Sequence, residues 1–218
     1  MRSTTRVGLA LAGALAFGLF AAWAKDQGAH DVHGLTEVRA YVGNLSTPWL
    51  LVAFAAGTQA GRLGSGALLG LAATMTALAG FYLFSTVVVD LGGHGFAGDL
   101  RLELSANRGY FEGGLLSGPV FGALGAWWQQ RRSYRASAVA GVLLMAEPLV
   151  LLALARAFPG GASTDNGLPM LTRLIPGWGL SLSSGATALA VYGAEFAVGL
   201  ALLAVPFALR LGRDTPTA

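Results

Sequence analysis

The sequence predicts an all-α fold: a polytopic transmembrane helix bundle of about six spans, with both termini cytoplasmic. Three observations predict it. Of 218 residues, 54% are hydrophobic and only 11% charged, with a mean hydropathy of +0.60; soluble domains carry about 25% charged residues. A core of this length cannot hide so much apolar surface from water, whereas a bilayer can. The apolar residues fall into six runs, and a helix crosses the hydrocarbon in roughly 20 residues. The 32 glycines show no collagen period and crowd into those runs, as they do where helices pack backbone to backbone in lipid.

The spans are expected near 7–24, 48–60, 64–89, 110–128, 137–158 and 185–211, forming a single integral membrane domain over 1–218. The first follows Arg2 and Arg6 and ends at Ala22-Trp23-Ala24, which resembles a signal-peptidase site. Its apolar run of about 18 residues exceeds the usual 7–15 of a signal peptide, so an uncleaved helix is expected. The second is the shortest; Thr47 suits an N-cap and Pro48 the first helical position. Gly61-Arg62-Leu63-Gly64 then makes a tight hairpin into the third. In the fourth, Glu112 falls in the first turn, where the helix dipole favours an acid. The fifth contains Pro148, and the sixth runs on to Leu211.

Basic residues set the orientation. With the N-terminus inside, the short inner segments hold Arg2, Arg6, Arg62, Arg131, Arg132, Arg135, Arg210 and Arg213. The much longer outer loops hold Lys25, Arg39, Arg101, Arg108, Arg156 and Arg173, together with most loop acids. Trp23, Trp49 and Trp178 mark the outer boundary, Trp127 and Trp128 the inner one. Two outer loops, 25–47 and 90–109, have about twenty residues each and the third, 159–184, is longer. In the third, Leu168, Leu171, Leu174 and Ile175 are spaced either for a short interfacial helix or for a loop lying on helix tops.

Small residues recur every four positions on several faces: Gly114, Gly118, Gly122 and Ala126; Ala10, Ala14 and Gly18; Gly57/Gly61 and Gly66/Gly70. Such ridges serve close packing within the chain or docking onto another membrane protein. Residues 17–23 match 121–127 at four of seven positions, a likeness that Ala- and Gly-rich sequence also produces by chance.

The ionisable residues inside the spans are the sharpest functional signal. Glu147 lies at the middle of the fifth span, immediately before Pro148, and Glu195 in the outer half of the sixth, one turn after Tyr192. An acid at membrane depth is costly and faces a cavity or a partner. With no Arg or Lys at that depth, each carboxyl is expected to be protonated or balanced by a bound cation. Glu147, Glu195 and Tyr192 are therefore the candidate substrate or proton site. The plainer alternative is a neutral carboxyl bonded to Thr74, Thr76 or Tyr192.

Other chemistry is poorly supported. There is no cysteine, and so no disulfide, thiolate metal site or cysteine nucleophile. His30, His33 and His94 are weak metal candidates near Asp26, Asp31 and Asp90, in loops where histidines are more often simply solvated; neither metal nor cofactor is expected. No histidine lies in a span, no HExxH occurs, and Gly64-Ser65-Gly66 follows no strand, so enzyme and nucleotide signatures are absent. A net charge of +3 with scattered basic residues does not suit nucleic acid.

The run Asn44-Leu45-Ser46-Thr47-Pro48-Trp49-Leu50-Leu51-Val52-Ala53-Phe54-Ala55-Ala56-Gly57, then Gly118-Pro119-Val120-Phe121-Gly122-Ala123-Leu124-Gly125, then Ala194-Glu195, resembles an uncharacterised family of small six-helix membrane proteins from GC-rich bacteria. That resemblance covers most of the chain and implies no activity or substrate. The Ala10/Ala14/Gly18 ridge on the first helix is similar to the substrate-binding membrane subunits of energy-coupling-factor transporters, which implies six helices and a bound small solute. The expectation is a multi-pass protein of the bacterial inner membrane, in contact with lipid: a small-solute transporter or transporter subunit, or alternatively a non-transporting accessory or assembly partner of another membrane protein.

Overall fold

Long Ala-, Leu- and Gly-rich runs satisfy their own backbone polar groups by winding into helices. The computed structural model describes residues 3–26, 46–88, 95–106, 108–131, 134–157 and 186–211, all helical except a turn at 58–62. The helices are α1 (Ser3–Asp26), α2 (Ser46–Gly57), α3 (Leu63–Val88), α4 (Gly95–Ala106), α5 (Arg108–Arg131), α6 (Tyr134–Ala157) and α7 (Ala186–Leu211). The fold is all-α, with no strand among the described residues. Two stretches, Thr4–Ala24 of α1 and Leu63–Val88, are long and apolar enough to cross a membrane by length and composition. Shorter apolar stretches occupy Thr47–Gly57, Ala138–Val150 and Leu189–Ala204.

α3 is the central helix, with α1, α2 and α5 packed around it, while α6 and α7 form a hairpin that joins α5 and α2. The interior is built from small residues. Ala14, Ala56, Ala73 and Ala77 form one fully buried cluster, and Ala21, Ala22, Leu78, Phe81 and Tyr82 another. Trp49 wedges between three helices, edge-on to Phe17 of α1 at 5.0 Å and to Phe81 of α3 at 5.9 Å. Large apolar side chains point outward instead: Leu9, Leu68, Val87, Leu116, Val142, Leu149 and Leu200 are all exposed, Leu68 by 70% and Val87 by 74%.

The small-residue ridges are filled from within the chain. Gly114 of α5 meets Thr74, Met75 and Leu78 of α3; Gly118 meets Leu71 and Thr74; Gly122 meets Gly66 and Gly70. On its other side Gly122 meets Gly57 of α2, so three backbones converge there. Gly18 of α1 lies on the Ala77 backbone, and Gly141 of α6 on Gly199 of α7. Gly61 meets nothing within 4 Å, so the expected Gly57/Gly61 ridge is a single contact at Gly57.

Two expectations are corrected. The second helix stops at Gly57 rather than at residue 60, because Gln59 and Ala60 already bond three residues back, to Ala56 and Gly57 carbonyls at 3.0 Å, tightening the chain towards α3. The segment 90–109, expected as a loop, contains α4, which starts at Gly95 in the left-handed region (φ 71°). Apolar periodicity misses α4 because its pattern is reversed: Asp99 is buried and Glu103 half-buried, while Phe96, Leu102 and Leu104 are exposed. Ser85 of α3 donates a 2.6 Å hydrogen bond to Glu103, tying α4 across the end of α3.

Candidate functional site

Ser46-Thr47-Pro48 opens α2. Proline at a helix start costs no hydrogen bond, since the first amides have no intrahelical partner. At 12 residues, α2 is only about 18 Å long. Its first turn therefore ends partway along the bundle, against α6 and α7. Glu147 lies thirteen residues past the start of α6 and ten before its end; Glu195 lies nine residues past the start of α7. At 1.5 Å per residue both acids sit about 15 Å from the same end of the hairpin.

Thr47 joins them. Its hydroxyl lies 3.2 Å from Glu147 Oε2 and is also hydrogen-bonded to Glu195 Oε1. These residues are 100 and 148 positions apart in sequence, and all three are buried, with 5%, 7% and 4% of their surface exposed. Two oxygens held by one hydroxyl lie within about 6 Å of each other, and the two carboxyls adjoin. Along the same helices Leu144, Pro148 and Tyr192 are fully buried.

Threonine has one hydroxyl hydrogen, and Thr47 sets it between two carboxyls that also bond each other. Glu195 Oε2 is buried with no hydrogen-bond partner among the described residues. No Lys, Arg or His lies in α2, or within two turns of either acid along α6 and α7. Pro148 removes one helical N–H, which frees the Leu144 carbonyl on the same buried face as Glu147. The first-turn amides of α2 carry the positive end of its dipole and favour negative charge there.

Glu147 and Glu195 are thus brought together, and Tyr192 is buried one turn before Glu195. The hydroxyls expected to partner the acids do not: Thr74 donates to the Gly70 carbonyl (2.9 Å) and Thr76 to Ala72 (2.8 Å). Thr47 takes that role, inside the helix rather than capping it. The signal for it was the shortness of its span, which puts the first turn of α2 at the depth of the acids. Glu112 forms an exposed pair with Arg108 at 2.6 Å, away from the cluster. His30, His33 and His94, and the stretch from Leu168 to Ile175, lie outside the described residues. Among the described residues no three metal-ligating side chains gather.

A concavity of about 520 Å³ opens between α1 and α2 and is lined by Arg6, Ala10, Gly13, Ala14, Ala56 and Gln59 among others. No protein-family model matches the chain, and no curated protein or solved structure shows significant similarity to it.

Proposed function

We propose that this chain is a multi-pass protein of the bacterial inner membrane with six spans (α1, α2, α3, α5, α6 and α7), both termini cytoplasmic, and that it moves a small solute through a site formed by Thr47, Glu147 and Glu195. The observation that carries this reading is the meeting of three buried polar side chains from three helices inside an otherwise apolar bundle. Two adjoining carboxyls are expensive to bury; a stability-driven core would place leucine or alanine there. A short helix whose N-terminal end stops at depth, facing acids, is the device discontinuous helices provide in transporters. The inside-out distribution, alanine and glycine within and leucine and valine outward, supports immersion in lipid. Retention of α1 is supported by its packing, since its removal would strip cover from Ala73 and Ala77.

Reporter fusions at Tyr134 and Ala218 should both read cytoplasmic; a periplasmic reading at either one sinks this topology. Native mass spectrometry of the purified protein should show a full-length species near 22.3 kDa carrying a small ligand that Glu147→Gln loses. A species beginning at Lys25 would instead show that the first helix is a removed leader.

A second reading has one observation in its favour. The groove between α1 and α2 leaves Gly13 with nothing within 4 Å among the described residues. A non-transporting accessory protein would dock a partner helix there, and native spectra would then show that partner and no small ligand.

A further inference from the structure

From the groove between α1 and α2 we infer that the protein holds one anionic phospholipid of the cytoplasmic leaflet, its phosphate at Arg6 and an acyl chain between the two helices. The inference rests on the bilayer placement proposed above and is independent of the acid cluster. At about 520 Å³ the groove has the size of a small-ligand site. Leu9 and Gly13 of α1 and Val52 and Ala55 of α2 form its walls. Ala14 and Ala56, both buried and packed with Ala73 of α3, form its floor. Its two polar lining residues, Arg6 and Gln59, lie together at one end, where α1 starts and α2 has just stopped.

Length decides between a lipid chain and a partner helix. From Arg6 to Ala14 the groove runs eight residues along α1, or about 12 Å, which is close to half of a hydrocarbon core about 30 Å thick. One turn further on, Phe17 packs edge-on against Trp49 at 5.0 Å and joins α1 to α2. The groove is therefore blind towards the membrane centre and open at its cytoplasmic end. An acyl chain stops within its own leaflet, whereas a spanning partner helix needs a face that continues past Phe17. Charge selects the headgroup. α1 has no acid before Asp26 at its far end, and α2 and α3 have none. Arg6 is exposed and has no acidic partner among the described residues, and Arg62 stands exposed in the turn three residues past Gln59. Gln59 donates one N–H to Thr58 Oγ1 at 3.0 Å and has a second to offer. A guanidinium matches phosphate geometry, and basic pockets between helices on the cytoplasmic side suit anionic headgroups.

The test is native mass spectrometry and thermal unfolding of the full-length protein in detergent, with phosphatidylglycerol or phosphatidylcholine of the same acyl chains added. Phosphatidylglycerol should be retained as one copy and raise the unfolding temperature, and phosphatidylcholine should bind at least about fivefold more weakly. Arg6→Gln should abolish that preference. Gly13→Phe, at a position with nothing within 4 Å, should keep the fold and lose both lipids, because its ring takes the place of the chain. Equal retention of the two lipids by the parent, or an unchanged preference in Arg6→Gln, would overturn the anionic headgroup. Parent-like retention in Gly13→Phe would overturn the groove as its seat, and a stoichiometric protein bound in place of lipid would give the groove to a partner helix. Glu147→Gln should lose the small ligand of the acid cluster and keep the phospholipid; if it loses neither, the transport site alone is refuted.

Discussion

Gly122→Leu should yield no monodisperse protein in detergent, and Gly122→Ala should unfold far below the parent. Gly122 sits where α5 crosses α3 and α2 at once. A β-carbon there would overlap the Gly66 carbonyl oxygen and stand 2.7 Å from the Gly70 Cα and 2.9 Å from its amide nitrogen. These are backbone atoms, so no rotamer change relieves the clash; two helices have to move apart. From the other side, a β-carbon on Gly57 would overlap the Gly122 carbonyl, and separating α5 from α3 therefore disturbs α2 as well. Overpacking a dense interior costs about 1–3 kcal/mol where side chains can yield, and a backbone contact shared by three helices should exceed about 3 kcal/mol. In the proposed membrane setting the loss is not made good by hydrophobic collapse, because the tails are as apolar as the helix faces. Gly13→Ala makes the contrast: nothing lies within 4 Å of Gly13, and alanine is favoured over glycine in a helix by up to about 1 kcal/mol. Size-exclusion profiles and unfolding temperatures compare the pair. An unchanged unfolding temperature for Gly122→Leu would mean that this ridge does not hold the bundle together.

The helices were legible because their signal is long and cheap to read. The helix starts and ends of α1, α3, α5, α6 and α7 fall within a few residues of the expected spans, since an apolar run of twenty or more residues has few other ways to satisfy its backbone. Glycine spacing likewise marked Gly114, Gly118 and Gly122, but not which helix they meet, because a ridge records only its own smallness. α4 escaped because it buries Asp99 and exposes Phe96, Leu102 and Leu104, against the pattern that periodicity seeks. Glu147 and Glu195 stood out as charges in apolar runs, and counting residues from the helix ends put them at similar depth. Thr47 did not stand out. A threonine before a proline at a helix start reads as a cap, and only the packing of the short α2 against α6 and α7 turns its hydroxyl towards the acids.

The acid cluster should separate stability from activity. Glutamine at position 195 keeps the volume of glutamate and brings two N–H hydrogens. The Glu195 Oε2 position is buried without a hydrogen-bond partner among the described residues. Glu195→Gln should therefore fold as well as the parent or better, by up to about 1 kcal/mol, because an amide donor completes the bonding. Thr47→Val should do the reverse. It keeps the shape but removes the hydroxyl that bridges the acids, leaving a buried acceptor unmet at a cost of about 1–3 kcal/mol; Thr47→Ser, which retains the hydroxyl, should recover most of that. Activity should follow the titrating groups instead of the stability. In proteoliposomes, flux of the small ligand that co-purifies with the protein should drop at least about tenfold in Glu195→Gln and in Glu147→Gln, because an amide cannot ionise. Thr47→Ser should keep most of the flux. A functional site commonly trades stability for its chemistry, so a glutamine variant that is at once more stable and inactive is the signature expected here. Parent-level flux in both glutamine variants, with unfolding temperatures also unchanged, would reduce the cluster to a neutral hydrogen-bonded pin between three helices.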